Sequence, residues 1–357
     1  MIRVLIVDDS AVVRKVLSEE LSRVSDIQVV GTAADPYMAR DRIVQLNPDV
    51  VTLDVEMPRM DGLSFLARLM QYHPMPVVVV SSLTPEHSEN TLRALELGAV
   101  DVIAKPGGQY SLPDIRKRLV HAIRAAASAR IERREFPVSP DAGQVAPFQL
   151  KTTRKVLAIG ASTGGTQALE VVLRALPVDT PGTVIVQHMP PGFTASFARR
   201  LNEICDMEIR EASGDEEVVA GCAFIAPGNR HLVIEKSGAT YVTRLKDGPP
   251  VHYQRPSVDV LFHSVAAAAG PNTVAAILTG MGADGADGMV ALRRSGAHTI
   301  AQDEATCVVF GMPKEAIARG GISEVLPLQS IAHGIRRAFI AQGAAADTTV
   351  QVFRKGA

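Results

Sequence analysis

The stretch Ile2-Arg3-Val4-Leu5-Ile6-Val7-Asp8-Asp9-Ser10 opens the chain with an apolar run that ends on two carboxylates. A run of that length, closed by a polar cluster, reads as a buried strand of the kind found in parallel sheets covered on both faces. Three later runs repeat the pattern: residues 49–53 lead to Asp54, residues 76–80 to Ser81, and residues 101–104 to Lys105, which Pro106 follows. A further strand is predicted over 27–31. Between the strands the apolar period lengthens to that of a helix. Val12, Val13, Val16, Leu17 and Leu21 predict one buried helical face, and more helices are predicted over 36–46, 62–72, 85–97 and 111–127. Residues 1–125 therefore predict a (βα)5 domain, a parallel sheet with helices on both faces.

At 357 residues the chain is long enough for two domains, each with its own core. Residues 126–152, with Pro137, Pro140, Gly143 and Pro147 and no sustained period, read as a linker. A second alternating unit is predicted over 153–345. It has strands at 156–160 and 183–187, helices at 165–176 and 193–202, and short β-type runs at 223–226, 231–235 and 240–244. Then come a helix at 257–268, a strand at 273–279, a glycine-rich loop and helices at 287–295 and 328–342. This predicts a doubly wound α/β domain with a mostly parallel sheet, followed by a loose tail over 346–357. No internal repeat is present beyond the α/β rhythm.

Composition excludes several classes. A net charge of -1 gives no electrostatic basis for binding nucleic acid or an anionic membrane, and the second half has neither a helix-turn-helix pattern nor a basic face. The basic cluster at 130–134 is broken by Glu132 and closed by Glu135, as on a solvated helix end. Cys205, Cys222 and Cys307 are odd in number, far apart and without metal-type spacing, which fits reduced thiols. The chain reaches Asp8 and Asp9 too soon for a signal peptide, and no apolar run approaches membrane-spanning length. The expectation is a cytoplasmic monomer without membrane insertion or a nucleic-acid partner.

In a parallel sheet, ligands gather where the carboxyl ends of the strands meet the loops. Asp8, Asp9, Asp54, Ser81 and Lys105 all fall there. A single strand-end Asp or Ser is an ordinary helix cap; five on one edge point to a site. Clustered carboxylates repel one another unless a hard cation sits among them, and Mg²⁺ takes oxygen ligands. One carboxylate can then attack a phosphoryl donor, while a lysine and a hydroxyl contact the transferred oxygens. Asp8-Asp9-Ser10, the stretch Asp54-Val55-Glu56-Met57-Pro58-Arg59-Met60-Asp61-Gly62, Ser81 after four valines, and Lys105-Pro106 together resemble the response-regulator receiver family. The resemblance implies Asp54 as phospho-acceptor, Asp8, Asp9 and Asp54 as Mg²⁺ ligands, Ser81 and Lys105 as phosphate contacts, and a cis Lys105–Pro106 bond. One position departs from the family pattern: Val102 stands where an aromatic is usual, three residues before the lysine.

The second domain carries a different chemistry. Gly160-Ala161-Ser162-Thr163-Gly164-Gly165 joins a strand to a helix, and its small residues permit a turn that presents the Ser162 hydroxyl beside helix N-terminal N–H groups. The spelling fits G-x-S-x-G, although a plain glycine-rich turn or a phosphate cradle would use similar residues. Of six histidines in this half, His188 alone directly follows the strand expected beside that of the serine; His231, opening a β-type run, is the second candidate. The acid is Asp284 or Asp287, both past the strand at 273–279, and Asp287 could equally cap the next helix. Too few carboxylates surround them for a calcium loop. The order Ser, His, Asp differs from that of α/β-hydrolases, while the same geometry recurs on unrelated folds.

Taken whole, the chain resembles the chemotaxis protein-glutamate methylesterase (CheB) family. The carriers are residues 160–165, Gln187-His188-Met189-Pro190, Ala226-Pro227-Gly228-Asn229-Arg230-His231-Leu232, and residues 279–289. The resemblance implies Ser162, His188 and Asp284 as the catalytic triad, Met281 and Thr163 in the oxyanion region, and no cofactor in the esterase domain. It also implies phosphorylation-activated demethylation of glutamate γ-methyl esters on methyl-accepting chemoreceptors, with deamidation of receptor glutamines in some members and a chemotaxis histidine kinase as phosphodonor. The alternative is a catalytically silent response regulator that binds receptors.

Overall fold

The computed structural model describes residues 1–57, 61–82, 85–105, 112–131, 145–148 and 154–354. The chain forms two compact units. The first contains β1 (Ile2–Val7), α1 (Ala11–Ser22), β2 (Ile27–Ala33), α2 (Pro36–Leu46), β3 (Val50–Asp54), α3 (Gly62–Tyr72), β4 (Val77–Ser81), α4 (Pro85–Glu96), β5 (Asp101–Ala104) and α5 (Leu112–Ser128). Its five strands are parallel in the order β2-β1-β3-β4-β5. The chain winds outward from β1 to β2 and then returns to β3 on the other side. This opens a crevice between the carboxyl ends of β1 and β3, where Asp8 and Asp54 stand. Polar residues start the helices that follow: Ser10 accepts the Val13 N–H, Asp35 the Met38 N–H, and Asp61 the Leu63 N–H.

The expected face of α1 needs correction at one end. Leu17 and Leu21 are buried, but Val12 is 71% exposed, and Glu20 is buried instead, paired with Arg23 and Arg116. Helical spacing orients a stripe but does not say how far the sheet reaches beneath it, and Val12 lies in the first turn.

The rest of the chain forms β6 (Val156–Ala161), α6 (Gly165–Ala175), β7 (Gly182–Gln187), α7 (Phe193–Ile204), β8 (Glu208–Glu211), β9 (Cys222–Ile225), β10 (His231–Ser237), β11 (Thr240–Lys246) and α8 (Val258–Ala268). It continues with β12 (Thr273–Ile277), α9 (Ala286–Arg294), β13 (His298–Gln302), α10 (Met312–Ala318), β14 (Glu324–Leu326) and α11 (Ile331–Arg354). Seven strands form one parallel sheet in the order β14-β13-β12-β6-β7-β9-β8. β10 and β11 stand apart as an antiparallel hairpin that leans on α8, where Ile234 N–H donates to Ser264 Oγ at 3.1 Å. Phe224 of β9 and Phe262 of α8 are fully buried in the core between them. Each such side chain contributes about 1.5–3 kcal/mol by leaving water.

Four elements were not predicted: β8, β13, β14 and α10. All are short, and β14 is a three-residue edge strand. The ends of the expected linker belong to structured parts. Residues 126–128 complete α5, while Val145 and Phe148 are buried against the second unit. There Val145 N–H donates to Ala175 O, Arg336 to Ala146 O, and Phe148 meets Phe339 edge-on at 5.9 Å. Residues 132–144 and 149–153 lie outside the described residues, as do Pro106 and with it the Lys105–Pro106 bond. The expected tail is corrected as well: α11 runs on to Arg354, past Ala344–Ala346 and through Asp347, Thr348, Thr349 and Val350, which are weak helix formers on their own. All three cysteines are free, and burial pushes the Cys205 thiol up to about 12. Among the described residues no helix is long and apolar enough to cross a membrane.

Candidate active site

In the second unit the chain leaves β6 for β7, β9 and β8, and later comes back to the opposite edge of β6 as β12. The switch point is therefore the seam between β6 and β12. Ser162 follows β6 on this edge. Ala161 pairs with Gln187 of β7, so His188 emerges beside the serine, with its N–H bonded to Ala161 O at 3.1 Å. Asp284 arrives from the loop after β12.

The three side chains converge. His188 Nδ1 lies 3.0 Å from Ser162 Oγ, and His188 Nε2 lies 2.7 Å from Asp284 Oδ2. The His188 and Asp284 side chains are 5% and 2% exposed. With the proton on Nε2 directed at Asp284, Nδ1 is the acceptor for the serine hydroxyl. The two ring nitrogens thus serve in the opposite sense to the familiar triad, in which Nε2 faces the serine.

Asp284 is held by more than the histidine. Ser257 Oγ donates to its Oδ1 at 2.7 Å, Asp259 N–H to Oδ1 at 3.0 Å, and Val258 N–H to Oδ2 at 2.8 Å. These donors form the N-terminus of α8, whose positive dipole end favours a carboxylate. Burial alone would push the Asp284 carboxyl up, but His188, Ser257 and the Asp259 N–H outweigh it and hold it below the usual carboxylate range. Asp287 is placed elsewhere, in the first turn of α9, with Arg319 Nη1 at 2.6 Å. His231 is buried and engaged on both nitrogens, Nδ1 accepting Ser257 N–H at 3.2 Å and Nε2 facing Pro249 O at 3.1 Å. It does not reach the serine.

The Ser162 turn is tightly specified. Ser162 N–H donates to Thr279 O, Gly165 N–H to Ser162 O, and the buried Gln187 amide to Ser162 O at 2.8 Å. The Gly165 N–H, one of the helix N-terminal groups expected to face an oxyanion, is therefore already committed. Gly164 has φ 77, and a Cβ there would come within 2.5 Å of Val308 Cβ. A Cβ on Gly280 would lie 2.6 Å from Ser162 Cβ, so the Gly280 backbone packs directly against the serine. Thr163 is buried in the same turn, and its carbonyl accepts Thr279 Oγ1 at 3.0 Å. Met281 and Thr163 thus lie on the two segments that flank Ser162.

Ser257 received no role from the sequence, and Gln187 appeared there only in the run quoted around His188. Ser257-Val258-Asp259 before an apolar helix is legible as a cap, but nothing local shows that it faces a carboxylate 27 positions later.

In the first unit, one oxygen each from Asp8, Asp9 and Asp54 falls within a 4.8 Å cluster. Lys105 Nζ lies 2.7 Å from Asp54 Oδ2. Asp8 Oδ1 accepts Ser10 N–H, whereas the buried Oδ2 has no hydrogen-bond partner among the described residues. Burial, and then the charge of Asp54, push the Asp8 carboxyl up to about 6. Burial also raises Asp54, against the pull of Lys105, and Lys105 is raised by Asp54 although burial opposes it. An all-oxygen cluster with one orphaned carboxylate oxygen fits a hard divalent cation. Ser81 is buried at the end of β4, its hydroxyl donating to Glu56 Oε1 at 3.3 Å and accepting from Thr91 Oγ1 at 2.9 Å. Val102 is buried in β5.

Comparison with known proteins agrees with this division. Residues 4–117 match the response regulator receiver domain model and residues 157–335 the CheB methylesterase model. The chain is 53% identical to a protein-glutamate methylesterase/protein-glutamine glutaminase of Syntrophus aciditrophicus, over 94% of this chain and 98% of that one. It is 54% identical to the protein of the same description from Salmonella typhimurium, over 92% and 95%. The crystal structure of the Thermotoga maritima CheB methylesterase catalytic domain matches 51% of this chain and 97% of its own, with 39% identity and a TM-score of 0.50. With a Ser-His-Asp line at the switch point of its large parallel sheet, an acidic receiver fold before it, and two methylesterase/glutaminase relatives matching it over more than nine-tenths of its length, the chain belongs to the CheB methylesterase family.

Proposed function

We propose that this chain is a phosphorylation-activated serine esterase. It removes methyl groups from glutamate γ-methyl esters on the cytoplasmic helices of methyl-accepting chemoreceptors, with receptor glutamines as the related amide substrate. The observation that carries this reading is the unbroken line from Ser162 Oγ through both nitrogens of His188 to Asp284. His188 Nδ1 takes the Ser162 proton as the oxygen attacks the γ-carbonyl. The tetrahedral oxyanion develops against the backbone at Thr163 and Met281. Protonated His188 then delivers its proton to the leaving methoxide, and methanol departs. Water attacks the acyl-serine with His188 again as base, which releases the free glutamate and restores the hydroxyl. Asp284 keeps the proton on Nε2 and stabilises the imidazolium. With a glutamine substrate the same steps release ammonia.

Residues 1–125 form the receiver, residues 153–345 the catalytic domain, and the protein works in the cytoplasm as a monomer. Asp54 accepts the phosphoryl group from a chemotaxis histidine kinase, while Lys105 and Ser81 contact its oxygens. Asp8, Asp9 and Asp54 would hold Mg²⁺, which when bound neutralises charge on the transferred group. Ser162→Ala tests the esterase reading by methanol release from methylated receptor membranes. Loss of one oxyanion donor costs about 10²–10³ in rate, so loss of the nucleophile should cost at least that. Near-normal methanol release would remove Ser162 from the mechanism.

A further inference from the structure

We infer that Ser257 is a positioning residue of the esterase, fixing which carboxylate oxygen Asp284 offers to His188, with His231 as its brace. The inference rests on the triad reading above and assigns a role to two residues outside it. Asp284 Oδ1 is tied by Ser257 Oγ and Asp259 N–H, which leaves Oδ2 turned to His188 Nε2. Ser257 Oγ is the one side-chain donor among these besides the histidine. Its hydroxyl has a single proton, and that proton goes to Asp284 at 2.7 Å; its contact with Val260 N–H, at 3.4 Å, uses a lone pair instead. Capping α8 and holding Asp284 therefore use different parts of one hydroxyl group.

The serine itself is anchored. It is fully buried, and its backbone N–H donates to His231 Nδ1 at 3.2 Å while His231 Nε2–H donates to Pro249 O at 3.1 Å. An accepting Nδ1 and a donating Nε2 describe a neutral imidazole with both positions filled, linking β10 and the 249 loop to the start of α8. The other titratable groups near Asp284 are Asp259, which accepts Gly288 N–H at 2.7 Å, and His252, whose Nε2 lies 3.2 Å from Asp259 Oδ2. Substitutions at Ser257 leave both in place.

Three full-length variants test this by methanol release from methylated receptor membranes across pH, at a temperature where the far-UV signal of each is that of the wild type. Ser257→Ala removes both uses of the hydroxyl. Ser257→Gly removes the donor but keeps a residue nearly as good at starting a helix. Both should lower kcat by about 10- to 100-fold, the rate equivalent of one hydrogen bond to a charged group, with KM changed by less than about twofold. Both should also move the acid limb of the pH profile to higher pH, because a carboxylate stripped of a donor holds the imidazolium proton more firmly. Ser257→Thr, which keeps the hydroxyl, should restore kcat and the limb. A residue that only capped α8 would shift the thermal midpoint and neither of these. Wild-type kcat and acid limb in Ser257→Gly would overturn the inference while leaving the triad intact. Full activity in Ser162→Ala would overturn the triad reading and this one with it.

Discussion

Asp284 and Asp287 lie three residues apart, one in a glycine-rich loop and the other in the first turn of α9, and their surroundings are opposite. Asp284 is buried and accepts four hydrogen bonds, whereas Asp287 is 57% exposed and bonded to Arg319 on the surface. Asp284→Asn should lower turnover by about 10⁴, the effect of forcing the wrong imidazole tautomer in a Ser-His-Asp site. Asp287→Asn removes a surface ion pair worth about 0–1 kcal/mol and should leave turnover within twofold. Methanol release from the two variants decides this, and the reverse ranking would mean that the wrong carboxylate is assigned. The pH dependence follows from the lowered Asp284 carboxyl. A depressed carboxylate contributes its full stability above its unfolded value and loses it as pH falls through the lower folded value. Asp284 therefore stays ionised through the ordinary carboxylate range. Its protonation should not shape the acid limb of kcat/KM there, so the limb should fall with unit slope; a slope of two would show that the Asp284 carboxylate titrates within it. Proximity to the strand end already favoured Asp284 in the sequence. The reach of Ser257 across 27 positions was invisible there, because local patterning carries no sign of which helix start lies over which loop.

At the scale of elements, the strands that present functional groups were the readable ones. An apolar run ending abruptly on Asp, Ser or His is a strong local signal, and β1, β3, β4, β6 and β7 all have it. β13 begins with His298 and Thr299, β14 is three residues at an edge, and α10 has seven residues, so each owes its form to neighbours rather than to its own pattern. Val12 and Glu20 on α1 show the complementary limit: spacing gives direction, whereas burial depends on what lies opposite. The β6–α6 turn leaves little room for change. Ala at 164 would force a side chain into a left-handed backbone, costing about 1–2 kcal/mol, and push its Cβ to 2.5 Å from Val308. Overpacking adds about 1–3 kcal/mol. Gly164→Ala should therefore lower the urea midpoint of the second unit by the equivalent of about 2 kcal/mol or more, and displace Ser162 enough to reduce turnover. A wild-type midpoint would show that Val308 can yield the space.

At the scale of the whole molecule, two sites of different chemistry on one chain suggest that one governs the other. If the receiver restrains the esterase until Asp54 is phosphorylated, deleting residues 1–140 should raise basal methanol release. Asp54→Ala in the full chain should leave release low and unresponsive to a phosphodonor with Mg²⁺. The size of the response can be no greater than the difference in the phosphoryl group's interaction with the two states. The cut belongs before Val145, because Val145 and Phe148 are part of the second unit's packing and their loss would confound the assay. A truncated chain less active than the unphosphorylated whole would mean that the receiver helps to build the site rather than restrain it.

The seam between β6 and β12 has a consequence of its own. Strand order divides the large sheet into two wings, one carrying Ser162 and His188 and the other carrying Asp284. Neither wing holds all three side chains; the β6–β12 ladder joins the wings, and the bonds from Leu278 N–H to Gly160 O and from Ser162 N–H to Thr279 O carry that join up to the site. During synthesis the serine and histidine leave the ribosome roughly a hundred residues ahead of their acid partner. On the proposed mechanism, an emerging chain would lack the full Ser-His-Asp line until the last third of the domain is made and the two wings are joined.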